Sequence, residues 1–144
     1  MTSIPSHLGY QGDLCPEQLS VLSAFKSHLA AHNIASPFFD DWLLLRFCRA
    51  RKFDLPKVIK MFTGYLEFRE TQGVDTILSK DLSQTEEVVK LYYDHGYIGT
   101  DKLGRPIKVE RLHTFDSEKI AELVTMEDWT SYLIRENETL VNVV

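Results

Sequence analysis

Two adjacent carboxylates, Asp40 and Asp41, are followed by four cations, Arg46, Arg49, Arg51 and Lys52, around the apolar run Leu43-Leu44-Leu45 and Phe47. Cations at this density suit an anion: a guanidinium pairs with a carboxylate or phosphate through two parallel hydrogen bonds, and an ammonium adds a point charge. Helical phase sets Leu43, Leu44, Phe47, Cys48 and Ala50 on one side and Arg46, Arg49 and Lys52 on the other. Arg51 falls in the apolar arc. A guanidinium keeps its charge there, so it must meet an anion, reach water, or lie past the helix end.

Other chemistry has little support. His7, His28, His32, His95 and His113 are scattered, and the helix-face pair His28 and His32 lacks a third ligand. The histidines are therefore expected at the solvated surface, with no metal site. Cys15 and Cys48 lack metal-ligand spacing and are expected to be reduced thiols packed as small apolar groups. Asp40-Asp41 and Glu86-Glu87 read as helix-start charges rather than an acid/base pair. There is no glycine-rich phosphate loop and no dinucleotide fingerprint. The expectation is a protein that is not an enzyme and needs no cofactor.

With 144 residues, 44% hydrophobic and 26% charged, the chain has the make-up of a soluble globular protein. No apolar run is long enough to cross a bilayer and no signal peptide opens the sequence, so a cytoplasmic location is expected, with membrane contact at the surface only. The net charge of -5 argues against a nucleic-acid partner. A local cation cluster in an acidic chain points instead to a small phosphorylated ligand or a lipid headgroup.

The elements that must position these residues follow from caps and periodicity. Residues 1–13, polar with Gly9 and Gly12, read as a flexible leader. Pro16 opens a helix to about His32 along Leu19, Leu22, Phe25 and Leu29. Asp40 or Asp41 caps a second helix, and Asp54, with Pro56 in the first turn, caps a third that Gly73 stops. These helices predict a three-helix bundle. Leu78 to Gln84 reads as a connector and Glu86 to Tyr93 as a short helix. A turn on Asp101 to Gly104 between β-prone segments predicts a hairpin, with Pro106 at a strand start or on an edge. Asp116 or Ser117 opens a short helix to Val124, and Thr125 with Asp128 caps a last one bearing Trp129, Tyr132, Leu133 and Leu140. The apolar ending, Leu140 to Val144, predicts either a chain cut before its fold is complete or an edge strand closing a small domain.

Several of these stretches together resemble one family. Asp40-Asp41, Leu43 to Phe47 and Arg49 to Asp54 resemble the hallmark helix of the CRAL-TRIO N-terminal region. Gly73 to Leu78 resembles the segment after its third helix, and Thr100 to Pro106 the hairpin that opens its lipid-binding domain. His7 to Tyr10, with Glu17-Gln18, is similar to the lead of the fungal secretory-pathway phosphatidylinositol/phosphatidylcholine transfer proteins. The resemblance implies a CRAL-TRIO N-terminal helical domain over 14–75 and the beginning of the α/β lipid-binding domain over 76–144, truncated. As given, the chain would be mostly α with one β-hairpin. It also implies non-catalytic exchange of phosphatidylinositol and phosphatidylcholine between membranes, supporting Golgi phosphoinositide supply and secretory traffic. The protein would be a cytoplasmic monomer, transiently peripheral at Golgi or endosomal membranes. Carried over by position, Arg51 and Lys52 match cations near the inositol phosphate, Tyr97 a tyrosine beside the choline phosphate region, and Asp101 the neighbouring hairpin.

Each has an alternative. Arg51 and Lys52 would also offset a helix dipole, Arg51 would also pair with a carboxylate such as Asp101, and Tyr97 would also fill a core with its hydroxyl satisfied. Relatives have aromatics in the last helix where this chain has Arg135 and Asn137, one of which would face the choline site. Two other functions stay open: a helical interaction or regulatory module docking a partner or membrane surface, and a carrier of another hydrophobic ligand.

Overall fold

A computed structural model describes residues 8–142. Residues 1–7, including His7, and Val143 and Val144 of the apolar ending lie outside the described residues. The chain divides into two compact units at Glu67 and Phe68, each with its own core.

The first unit is helical. Helix α1 (Pro16–Ala31) starts with Pro16, and the Gln18 side chain accepts from the Cys15 amide at 3.1 Å. Helix α2 (Asp41–Ala50) is capped by Asp40, whose carboxylate accepts from the Leu43 amide at 2.8 Å. Helix α3 (Leu55–Thr71) follows Asp54, which accepts from the Lys57 amide at 3.3 Å. Leu22, Phe25 and Leu29 of α1, Leu44, Leu45, Phe47 and Cys48 of α2, and Val58 and Phe62 of α3 form one buried core. Phe62 is its hub, with edge-on rings at 5.2 Å (Phe25), 5.2 Å (Phe39) and 4.9 Å (Phe47). Cys48 is fully buried, which pushes its thiol up to about 11 and keeps it protonated. Ala50, expected on the apolar side, is exposed because the helix ends there.

The second unit holds the only β-structure in strands among the described residues. Gly73, at φ +60°, ends the preceding turn. Val74–Ser79 forms a 3₁₀ turn packed on the last helix. Helix α4 (Ser83–Tyr92) starts earlier than its periodicity announced, since the Asp81 carboxylate takes the Ser83 amide at 3.0 Å. Strands β1 (His95–Thr100) and β2 (Pro106–Glu110) pair antiparallel, and Pro106 stands at the strand start. An irregularity between Tyr97 and Gly99 breaks the register. Helix α5 (Ser117–Leu123) is capped by Asp116, and α6 (Met126–Asn142) by Thr125, whose hydroxyl takes the Asp128 amide at 3.1 Å and donates to its carboxylate at 2.7 Å. Leu82, Val89, Tyr93, Ile120 and Tyr132 make this unit's core. Val141 and Asn142 continue α6, so the expected edge strand does not start there.

Candidate headgroup-binding residues

The turn between α2 and α3 carries Arg51 and Lys52. Helix α2 closes in a Schellman motif: the Phe53 amide donates to the Cys48 carbonyl at 2.8 Å and the Lys52 amide to Arg49 at 3.1 Å. Such a motif needs a left-handed residue, and glycine usually fills it. Here Lys52 (φ +52°) and Phe53 (φ +58°) both take that conformation. Arg51 is therefore the capping residue and not part of the helix, which overturns the reading of a cation lodged on the apolar side. It is exposed, with Nη1 donating to the Ala50 carbonyl at 3.2 Å. Of the three outcomes open to it, Arg51 lies past the helix end and reaches water.

The result is a shallow cationic depression of about 380 Å³ lined by Ala50, Arg51, Lys52, Asp54 and Lys57. Asp54 is engaged by Lys57 at 2.6 Å, and that hydrogen bond holds its carboxyl below the usual range. The N-terminal segment braces the turn. Arg49 donates to the Gly9 carbonyl at 3.1 Å and its guanidinium sits 4.1 Å from the Tyr10 ring centroid. Gly9, at φ +77°, lies so close to the Phe53 ring that an added Cβ would come within 2.7 Å. Gly9 and Tyr10, within the stretch read as a loose leader, thus contact Arg49 of α2 and Phe53 of the turn.

Tyr97 and Asp101 share the hairpin of the second unit but differ in role. Tyr97, 43% exposed, is not a core residue; it lines a crevice of about 230 Å³ between the hairpin and α6. Asp101 holds the turn together, accepting from the Leu103 amide at 2.8 Å, the Arg105 amide at 3.0 Å and Arg105 Nε at 2.7 Å. The Arg105 side chain, with these amides, holds the Asp101 carboxyl below its usual range. Gly104, at φ +79°, completes this tight loop.

The same crevice holds residues that sequence reasoning did not select. His95, expected at the surface, has a side chain only 4% exposed. Its Nδ1 is 3.0 Å from the Tyr93 carbonyl, which can only accept, so Nδ1 carries the proton. Nε2 lies 2.8 Å from the Tyr132 hydroxyl and 3.4 Å from the Glu136 carboxylate. Lys108 reaches the same Glu136 carboxylate at 3.7 Å. Burial, then the Glu136 charge, raises the Tyr132 phenol well above its ordinary range, so it keeps its proton. The crevice thus offers fixed donors and acceptors beside Lys90 and Lys108. Its volume lies below the range of about 300–1,000 Å³ usual for ligand pockets and suits a small polar group, not acyl chains.

From α6 the crevice receives Tyr132, Glu136, Thr139 and Leu140. Arg135 and Asn137, one of which was expected to face this region, are turned elsewhere. Arg135 pairs with Glu86 and donates to the Lys80 carbonyl at 3.1 Å, and Asn137 donates to the Leu133 carbonyl at 2.8 Å. Burial of His95 had no local signal, because the helix that covers it lies about 40 residues downstream.

Comparison with known proteins adds an independent line. Residues 22–64 match the CRAL/TRIO N-terminal domain. Two phosphatidylinositol/phosphatidylcholine transfer proteins of Arabidopsis thaliana are 39% and 38% identical over 129 residues, 88% of this chain but 24% and 21% of their own lengths. The Sec14 cytosolic factor of Schizosaccharomyces pombe is 34% identical over 140 residues, 97% of this chain and 49% of its own. The chain thus spans a quarter or less of the plant relatives and about half of the yeast one. The matched stretch contains all of α2 with the Arg51-Lys52 turn, so residues 22–64 are similar to the CRAL/TRIO N-terminal domain.

Proposed function

We propose that this chain is the N-terminal portion of a phospholipid-transfer protein, a helical bundle over residues 14–75 leading into the start of an α/β lipid-binding domain. The whole protein binds phosphatidylinositol and phosphatidylcholine, moves them between membranes without chemistry, and acts in the cytoplasm as a monomer touching Golgi or endosomal membranes transiently. Arg51 and Lys52 meet the inositol lipid's phosphate, and Tyr97, on the hairpin braced by Asp101, lies beside the second headgroup. The reading is carried by the relatives, whose names state this activity and whose similarity covers 88% of the chain. It is supported by a turn that exposes Arg51 and Lys52 side by side and holds Lys52, with Phe53, in a left-handed backbone conformation, a kind of strain that concentrates at functional sites.

A replacement experiment tests it. This chain is substituted for the matching half of the fission-yeast relative, and transfer of labelled phosphatidylinositol and phosphatidylcholine between vesicles is measured. The chimera is expected to transfer both lipids. Residues 1–144 alone transfer feebly, because burial of acyl chains, about 0.8 kcal/mol per methylene, requires a larger cavity. A folded chimera that transfers neither lipid would overturn the assignment.

A further inference from the structure

One face of the first unit carries apolar groups that its core does not use. Phe38 is 77% exposed and Trp42 60% exposed, whereas the adjacent Phe39 turns inward against Phe62 at 5.2 Å. The outward position of Phe38 is built. Its amide donates to Ser36 Oγ at 3.2 Å, the Phe39 amide donates to the Ser36 carbonyl at 3.1 Å, and Asp40 then caps α2. Trp42 stands in the first helical turn. Arg46 follows one turn along the same side and is exposed; Arg49, a turn further, lies over Tyr10.

The charge of the stretch that follows Trp42 is one-sided. Residues 46–60 hold six cations, Arg46, Arg49, Arg51, Lys52, Lys57 and Lys60, against the single carboxylate Asp54, in a chain of net charge -5. Near Trp42, Asp41 is neutralised by Lys26 and the Asp40 carboxylate is taken by the helix cap. Two exposed aromatics, closely followed in sequence by a run of cations, match the composition of a bilayer interface, where rings sit among headgroups and cations meet anionic lipid. We infer that Phe38, Trp42 and Arg46 form a membrane-docking face for an anionic lipid surface, distinct in residues from the Arg51-Lys52 headgroup turn. The inference rests on the membrane contact proposed above and says which surface makes it.

The test uses the 144-residue chain with vesicles of phosphatidylcholine alone and of phosphatidylcholine with phosphatidylserine, free of inositol lipid. The chain has two tryptophans, so the Trp42 signal is the difference between the chain and its Trp42→Phe variant. On anionic vesicles that signal is expected to shift to the blue and to be quenched by brominated acyl chains. Trp42→Ser or Phe38→Ser should weaken binding about tenfold, by loss of buried ring area, and Arg46→Glu about fivefold or more. All three positions are exposed, so the variants should keep the fold. Failure to bind any vesicle would remove the membrane contact and this face together. Binding with an unmoved Trp42 signal and unchanged variants would remove the face alone.

Discussion

The two units differ in how each satisfies its apolar residues. In the first, α1, α2 and α3 close a core within some fifty residues, with Phe25, Leu44, Leu45, Cys48, Val58 and Phe62 nearly or wholly buried. In the second, β1 and β2 form a two-stranded sheet among the described residues, and Ile98 (66%), Ile107 (37%) and Val109 (41%) on it and Leu103 (76%) in its turn stay exposed. An isolated hairpin is marginal in water, so the second unit leans on polar anchors instead. His95 with Tyr132 and Glu136, Asp101 with Arg105, and Arg135 with Glu86 tie its elements together. The first unit is held mainly by packing, and the second adds directed polar contacts to a smaller core.

The largest way to break that contrast is Phe62→Ala. Removing the ring that Phe25, Phe39 and Phe47 surround should cost about 3–5 kcal/mol, read in urea unfolding. Peptide-resolved hydrogen exchange should localise the loss of protection to residues 8–67. Equal loss in both units would mean that the cores are not separate.

A smaller effect is expected from Tyr132→Phe, which removes the hydroxyl bonded to buried His95 Nε2 and should destabilise the second unit by about 1–3 kcal/mol. Alkaline pH probes the same anchor. Burial first, then the Glu110 hydrogen bond and charge, raises Tyr93 from 10.0 to about 12, and Tyr132 is raised further. The folded state therefore keeps protons that the unfolded state releases. Their stabilisation is full below pH 10 and falls as pH rises from there through about 12. Thermal melts over that window should show the fall, and Tyr93→Phe with Tyr132→Phe should flatten it.

Smaller still is Lys52→Gly. The left-handed backbone at Lys52 (φ +52°) costs a lysine about 1–2 kcal/mol, partly offset by the entropy glycine loses on folding, so the melt should rise by up to about 1 kcal/mol. A gain in stability with a loss of inositol-lipid binding would identify the turn as strained for function.

What the sequence disclosed, and what it hid, follows the range of the forces involved. Caps at Asp40, Asp54, Asp116 and Thr125 and the hairpin turn at Asp101 are local hydrogen bonds, and each is visible in a few adjacent residues. Arg51 misled because the Schellman ending at Lys52 and Phe53 lacks its usual glycine, so helical phase was carried one residue too far. His95 misled because its burial depends on α6, and the core alternative for Tyr97 fails because a two-stranded sheet leaves that side chain half open. The start of α4 was obscured by the polar run Ser83-Gln84-Thr85, of which Thr85 is in fact buried.

The most direct test of the account is the Arg51→Ala, Lys52→Ala double substitution in the chimera with the fission-yeast relative. Phosphatidylinositol transfer should fall at least about tenfold, as expected for losing charge-assisted hydrogen bonds to a phosphate, while phosphatidylcholine transfer persists. Transfer of both lipids at the unsubstituted rate, or an equal fall in both, would contradict the assignment of these cations to the inositol headgroup.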